Sequence, residues 1–181
     1  MKKLPFKFNE AFLFEPSVYR DNRGFFMESY SKDKFKELTG QDITFLQDNH
    51  SLSKEAGVIR GLHYQKFPME QSKLVRVTSG AIYDVIVDIR TSSPTFGQWA
   101  YAILSNENNR QLFVPKGFAH GFCTLVPDTE VQYKVDACYS PEHDRGILWN
   151  DPFLNIDWPA STPVLSNKDQ IHPLLKDADL D

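Results

Sequence analysis

With 181 residues, 41% hydrophobic and 24% charged, the chain is globular in composition and long enough to bury roughly 70% of its unfolded surface in one domain, residues 1–181. A net charge of −4 excludes a general nucleic-acid footprint. Residues 1–9 hold no apolar run long enough for a signal peptide or a membrane span, so the cytoplasm is the expected compartment.

Fourteen Phe and eleven Pro beside nine Gly favour many short strands over a helical bundle. In chain order, strands are expected at 11–19 and 24–30. The segment 31–40 reads as a helix: Ser31 caps it, Asp33 lies in its first turn, Phe35 and Leu38 share a face, and Gly40 stops it. Further strands follow at 43–48, 58–66, 73–79 and 82–89. In the last of these Tyr83, Val85, Val87 and Ile89 face one way while Asp84 and Asp88 face the other.

Strands at 98–104, 111–114, 119–126 and 130–138 complete the set. Turns fall at Gly40, Ser79-Gly80, Ser93-Pro94, 106–109 and Pro127-Asp128. Beyond Asn150 the chain turns rich in Pro, Asp and Asn and reads as a tail wrapped over the domain. So many short strands with regular turns describe an all-β sandwich, jelly roll or barrel with few short helices. Two cysteines, Cys123 and Cys138, make no metal or disulfide pattern and read as buried thiols. The Asn49-His50-Ser51 sequon reads as chance.

Chemistry concentrates in two glycine-flanked blocks, Gly57-Val-Ile-Arg-Gly-Leu-His63-Tyr-Gln65 and Pro115-Lys-Gly117-Phe-Ala-His120-Gly121-Phe122. Each sets an imidazole on a β-scaffold near Arg60, Lys73 or Lys116. A base beside fixed cations is what proton abstraction next to a carbonyl requires. The blocks resemble the paired motifs of the cupin jelly roll. The metal-binding form needs His-x-His, however, and this chain has Gln65 at the second position, so no metal is expected.

A closer resemblance runs through seven ordered blocks: Asp21-Asn-Arg23-Gly24-Phe-Phe26, Gln47-Asp-Asn49-His-Ser51, Arg60-Gly-Leu-His63-Tyr-Gln65, Lys73-Leu-Val-Arg76-Val, Pro115-Lys-Gly-Phe-Ala-His120-Gly-Phe122, Tyr139-Ser-Pro-Glu142-His and Trp149-Asn-Asp-Pro152. Together they resemble the dTDP-4-dehydrorhamnose 3,5-epimerase family over essentially the whole chain. The resemblance implies a cofactor-independent enzyme acting on a dTDP-4-keto-6-deoxy sugar, in rhamnose synthesis. The C4 ketone acidifies the C–H bonds at C3 and C5, and reprotonation from the opposite face inverts each centre.

By that resemblance His63 is the base and Asp169 fixes its tautomer. Lys73 stabilises the enolate oxygen, Tyr133 returns the proton, and His120 lines the pocket. Arg23, Phe26, Glu28, Gln47, Asn49, Arg60, Tyr139 and Lys168 are implied for the nucleotide. Asp144 stands where the family commonly has Glu. The resemblance further implies a homodimer in which exchanged N-terminal strands carry Arg23, Phe26 and Glu28 to the partner's site; the apolar segments Phe12-Leu-Phe14 and Gly24-Phe-Phe26-Met suit that exchange. Three readings compete: an epimerase acting at one carbon or on a related sugar, a metal-dependent cupin, and a silent sugar-nucleotide binder.

Overall fold

Alternation of side chains along strands builds both layers of the fold. The computed structural model describes residues 1–180. One sheet runs in the order β1 (Lys2–Leu4), β2 (Phe12–Glu15), β10 (Gln111–Val114), β7 (Lys73–Ser79), β12 (Thr129–Val135) and β5 (Gln47–Ser53). The other runs β13 (Asp144–Gly146), β6 (Ile59–Gln65), β11 (Phe118–Thr124), β8 (Ala81–Asp88) and β9 (Trp99–Ser105). Pairings within both sheets are antiparallel. A separate hairpin joins β3 (Val18–Asp21) to β4 (Gly24–Met27).

Between the sheets lies a core that includes Leu13, Val75, Val77, Ile82, Ile86, Leu112, Val114, Phe122 and Val131. The second face of the five-stranded sheet is as apolar as the first. Tyr83, Val85 and Val87 of β8 pack there with Leu154, Ile156, Trp158 and Leu175 of the C-terminal tail. A strand covered on both faces needs apolar residues at both parities, which is why β8 reads Ala-Ile-Tyr-Asp-Val-Ile-Val-Asp. On the outer face of the six-stranded sheet, Phe12, Phe14, Leu74 and Phe113 receive Phe35 from helix α1 (Lys32–Thr39). This is the β-sandwich expected from the sequence.

Some elements differ from expectation for identifiable reasons. The stretch 11–19 divides into β2 and β3. Ile43 and Phe45 do not form a strand; they pack beside Phe35, and the strand is the more polar Gln47–Ser53. The strand expected over 24–30 ends at Met27, and that over 130–138 ends at Val135. Past Val135, the carbonyls of Ala137 and Cys138 accept from Gln71 and Gln65 instead of a neighbouring strand. The three-residue strands β1 and β13 carry too little pattern to be read from sequence.

Gly40 does end the helix, at φ 74° in the left-handed region, with its N–H donated to the Lys36 carbonyl. Ser31 precedes the helix but makes no side-chain capping bond. Cys123 is buried as expected, whereas Cys138 is exposed. Among the described residues, no helix is long and apolar enough to cross a membrane.

Candidate active site

The registers of four strands assemble the site. Across the six-stranded sheet, Val135 pairs with Lys73 on one side and Gln47 on the other, while Tyr133 pairs with Val75 and Asn49. Strand alternation puts both rows on the face that looks toward the opposing sheet. There, His63 pairs with His120 on one side and Gly146 on the other, and Gln65 pairs with Asp144. Two glycines let β6 and β11 approach beside the histidines. At Gly61, with φ 123°, a Cβ would lie 2.6 Å from the Cα of Gly121.

These rows line a cleft of about 350 Å³ with Gln47, Asn49, His63, Gln65, Lys73, Tyr133, Tyr139, Asp144 and Lys168, together with Tyr64 and Gln71. His63 Nε2 donates to Asp169 Oδ1 at 2.5 Å. Asp169 is only 4% exposed, and its other oxygen accepts from the Ser166 hydroxyl at 2.7 Å. Burial alone would raise the Asp169 pKa. The His172 imidazole beside it, hydrogen bonds from His63 and Ser166, and the charge of His63 outweigh it and hold the carboxyl well below the ordinary range. An ionised carboxylate at Nε2 keeps the proton there and leaves Nδ1 as the basic nitrogen. Burial also pushes the His63 pKa below its ordinary 6.5, against the pull of Asp169.

Lys73 is 7% exposed and donates to the His63 carbonyl at 3.3 Å. Burial brings its pKa down to about 8, while the charges of Asp144 and Asp84 oppose the shift. It remains cationic at neutral pH yet holds its proton far less firmly than an exposed lysine. Burial raises the Tyr133 pKa, Arg60 opposes that shift and Asp144 adds to it. The phenol therefore enters any reaction protonated.

Asp144 accepts from the Tyr139 hydroxyl at 2.9 Å and from the Lys168 ammonium. The shorter carboxylate thus ties two other cleft residues together. Gln65 is fully committed: its amide nitrogen donates to the carbonyls of Met69 and Cys138, and its oxygen accepts from Ser140 N–H. His120 is tied to a carboxylate of its own, 2.7 Å from Asp84 Oδ1. A cupin-type metal point drawing on His63, Gln65 and His120 does not fit side chains already occupied in this way.

Not every expected residue reaches the cleft. His120, 6% exposed, sits behind the lining and not in it. Arg60 donates to the Ser53 hydroxyl and the Leu52 carbonyl, outside the lining residues. Arg23 pairs with Asp21, Glu28 with Lys34, and Phe26 is 72% exposed. None of these three borders the cleft of its own chain. Sequence reasoning missed Asp84, Ser166, Gln71 and His172. The first left a signal, as a carboxylate on the same face of β8 as Ile82 and Ile86; the last lies three residues after Asp169.

Comparison with known proteins matches residues 5–177 to the family model described as dTDP-4-dehydrorhamnose 3,5-epimerase. The protein of that name from Pseudomonas aeruginosa is 51% identical over 180 residues, covering 99% of this chain and 98% of its own. A Bacillus anthracis dTDP-4-dehydrorhamnose 3,5-epimerase, solved with TDP and PPi bound, is 59% identical with a TM-score of 0.93, covering 96% of this chain and 98% of its own. A Legionella pneumophila dTDP-6-deoxy-D-glucose-3,5-epimerase, solved in complex with dTDP-4-keto-L-rhamnose, is 46% identical with a TM-score of 0.93, covering 97% and 93%.

Proposed function

The chain belongs to the dTDP-4-dehydrorhamnose 3,5-epimerase family, and from that premise we propose that it converts dTDP-4-dehydro-6-deoxy-D-glucose to dTDP-4-dehydro-L-rhamnose in dTDP-L-rhamnose synthesis. The observation that carries the chemistry is a half-buried imidazole on an ionised carboxylate, sharing one cleft with a lysine and a tyrosine. Incubation with the keto sugar tests it: the expected product is inverted at both C3 and C5, whereas inversion at one carbon would assign the chain to the related single-site reaction.

In this reading His63 Nδ1 takes the proton from C3 or C5, and the electrons move onto the C4 ketone oxygen. Cationic Lys73 stabilises that enolate, in a setting where a fixed charge acts more strongly than in water. Tyr133 then delivers a proton to the opposite face. Each inversion leaves His63 with an extra proton and Tyr133 short of one, and exchange with solvent resets both. The ketone serves as electron sink, so the step is balanced without a redox partner.

Gln47, Asn49, Tyr139, Asp144 and Lys168 take the nucleotide, with Arg60 at the margin. Arg23, Phe26 and Glu28 come from a second copy in an exchanged homodimer. Their absence from the lining of the cleft in their own chain and the solvent-facing β3–β4 hairpin support that arrangement. The reading treats residues 1–181 as one domain of a cytoplasmic enzyme.

Two results are expected. Tyr133→Phe lets solvent isotope enter the sugar at a rate within about tenfold of wild type, while net formation of the inverted product falls about 100-fold. Proton NMR of the sugar follows both quantities. The pH profile of kcat/KM is a bell. Neutral His63 is the active form, so activity is lost as pH falls through a value below 6.5. Cationic Lys73 is the active form, so activity is lost as pH rises through about 8.

A further inference from the structure

Two imidazoles lie beside the Asp169 carboxylate, and only one of them has a role in the epimerisation. His172 follows Asp169 by three residues, and its Nε2 lies 3.6 Å from Oδ1, the same oxygen that accepts from His63 at 2.5 Å. The His172 side chain is 9% exposed, and this nitrogen is buried with no hydrogen-bond partner. Its ring meets His63 edge-on, with centroids 5.6 Å apart and planes inclined at 75°. On another side it rests on Gly146 of β13, where a Cβ would come within 2.4 Å of Nε2. Filling that space alone would call for an apolar ring, because a buried unpaired N–H is costly.

We propose that His172 is a positioning residue of the epimerisation: its Nε2–H is aimed at the carboxylate oxygen that grips His63, and it limits that grip. The inference rests on the reading of His63 as the base. A carboxylate oxygen courted by two donors is a weaker acceptor for each. Two inversions per sugar require His63 to surrender its captured proton between them. An undivided Asp169 would stabilise the imidazolium and delay that release.

Gly146 keeps the second ring close enough to divide the carboxylate. The titratable groups that act on His63 are Asp169 and His172 from the tail and Lys73 from β7. Asp169 favours the charged imidazole, whereas Lys73 and His172 disfavour it. Removing the His172 N–H should therefore raise the basicity of His63.

Two substitutions separate this role from packing. His172→Phe keeps a ring against Gly146 but removes the donor; His172→Gln loses the ring but keeps an N–H. With dTDP-4-dehydro-6-deoxy-D-glucose as substrate, the Phe variant is expected to move the acid limb of kcat/KM upward by about one pH unit. It should also lower kcat about tenfold at unchanged KM, and the Gln variant should restore the wild-type limb. A folded Phe variant with the wild-type limb, or equal shifts in both variants, would overturn the proposal.

If the Phe variant fails to fold, nitrogen-15 NMR of wild-type histidines decides, because the proposal requires a proton on His172 Nε2. A neutral ring protonated at Nδ1 alone overturns it. A wild type inert toward the keto sugar would remove the underlying reading and this inference together, whereas an active wild type with an unmoved limb removes only the inference.

Discussion

Substituting alanine for His63 is expected to abolish isotope exchange at both C3 and C5 and to lower turnover by about 10³-fold or more. General-base catalysis is worth roughly 10²–10⁴-fold, and the cleft offers no ready replacement. Lys73, which also lines the cleft, holds a proton up to about pH 8 and sits with its ammonium on the His63 carbonyl. His120 is tied to Asp84 behind the cleft lining. The side chain of His63 is 34% exposed and opens onto the cleft, and a thermal unfolding curve of the variant separates loss of the base from loss of the fold. Residual exchange within about tenfold of wild type would mean that another group takes the proton.

Replacing Asp169 with asparagine should cost nearly as much, about 10²–10⁴-fold in kcat. The change preserves shape but removes the charge that keeps the proton on Nε2. An amide can present its NH2 group to His63 and stabilise the opposite tautomer, with the proton on the nitrogen that should accept one. Ser166 still offers a hydroxyl to whichever terminal atom it faces, so the side chain stays in place while its chemistry reverses. Steady-state kinetics beside a thermal unfolding curve checks this. A folded variant with kcat reduced less than about tenfold would show that the carboxylate does not govern the base.

The sequence carries the architecture because most strands here are apolar on at least one face. The strand 111–114 was legible to its last residue, and 73–79 equally so, since Leu74, Val75 and Val77 pack on both sides of one sheet. The strand Gln47–Ser53 was misplaced because it is polar and lies at the sheet's edge, where it forms one wall of the cleft. Hydrophobic periodicity pointed instead to Ile43 and Phe45, whose burial is against a helix. A functional wall is the kind of element for which pattern and structure part company.

The same division holds for the site. His63 and His120 announced themselves by glycine-flanked blocks, and Gly61 and Gly121 prove to be where the two strands nearly touch. Asp169 lies 106 residues from His63, so no local spacing could join them; only the resemblance did. The tail that carries Asp169 is anchored elsewhere, by Asp151 accepting from Leu175 N–H and by packing under Trp158. His172 had no signal until its buried nitrogen could be seen beside the carboxylate. The exposed aromatics of the β3–β4 hairpin read as strand in the sequence, and a single chain gives them no interior to enter.

Proton NMR of dTDP-4-dehydro-6-deoxy-D-glucose in heavy water with the purified wild-type protein tests the central claim most directly. If an imidazole in this cleft removes hydrogen from the carbons flanking the ketone, the C3 and C5 proton signals disappear together as deuterium replaces them. Persistence of both signals after prolonged incubation with folded protein, or loss at one carbon only, would contradict it.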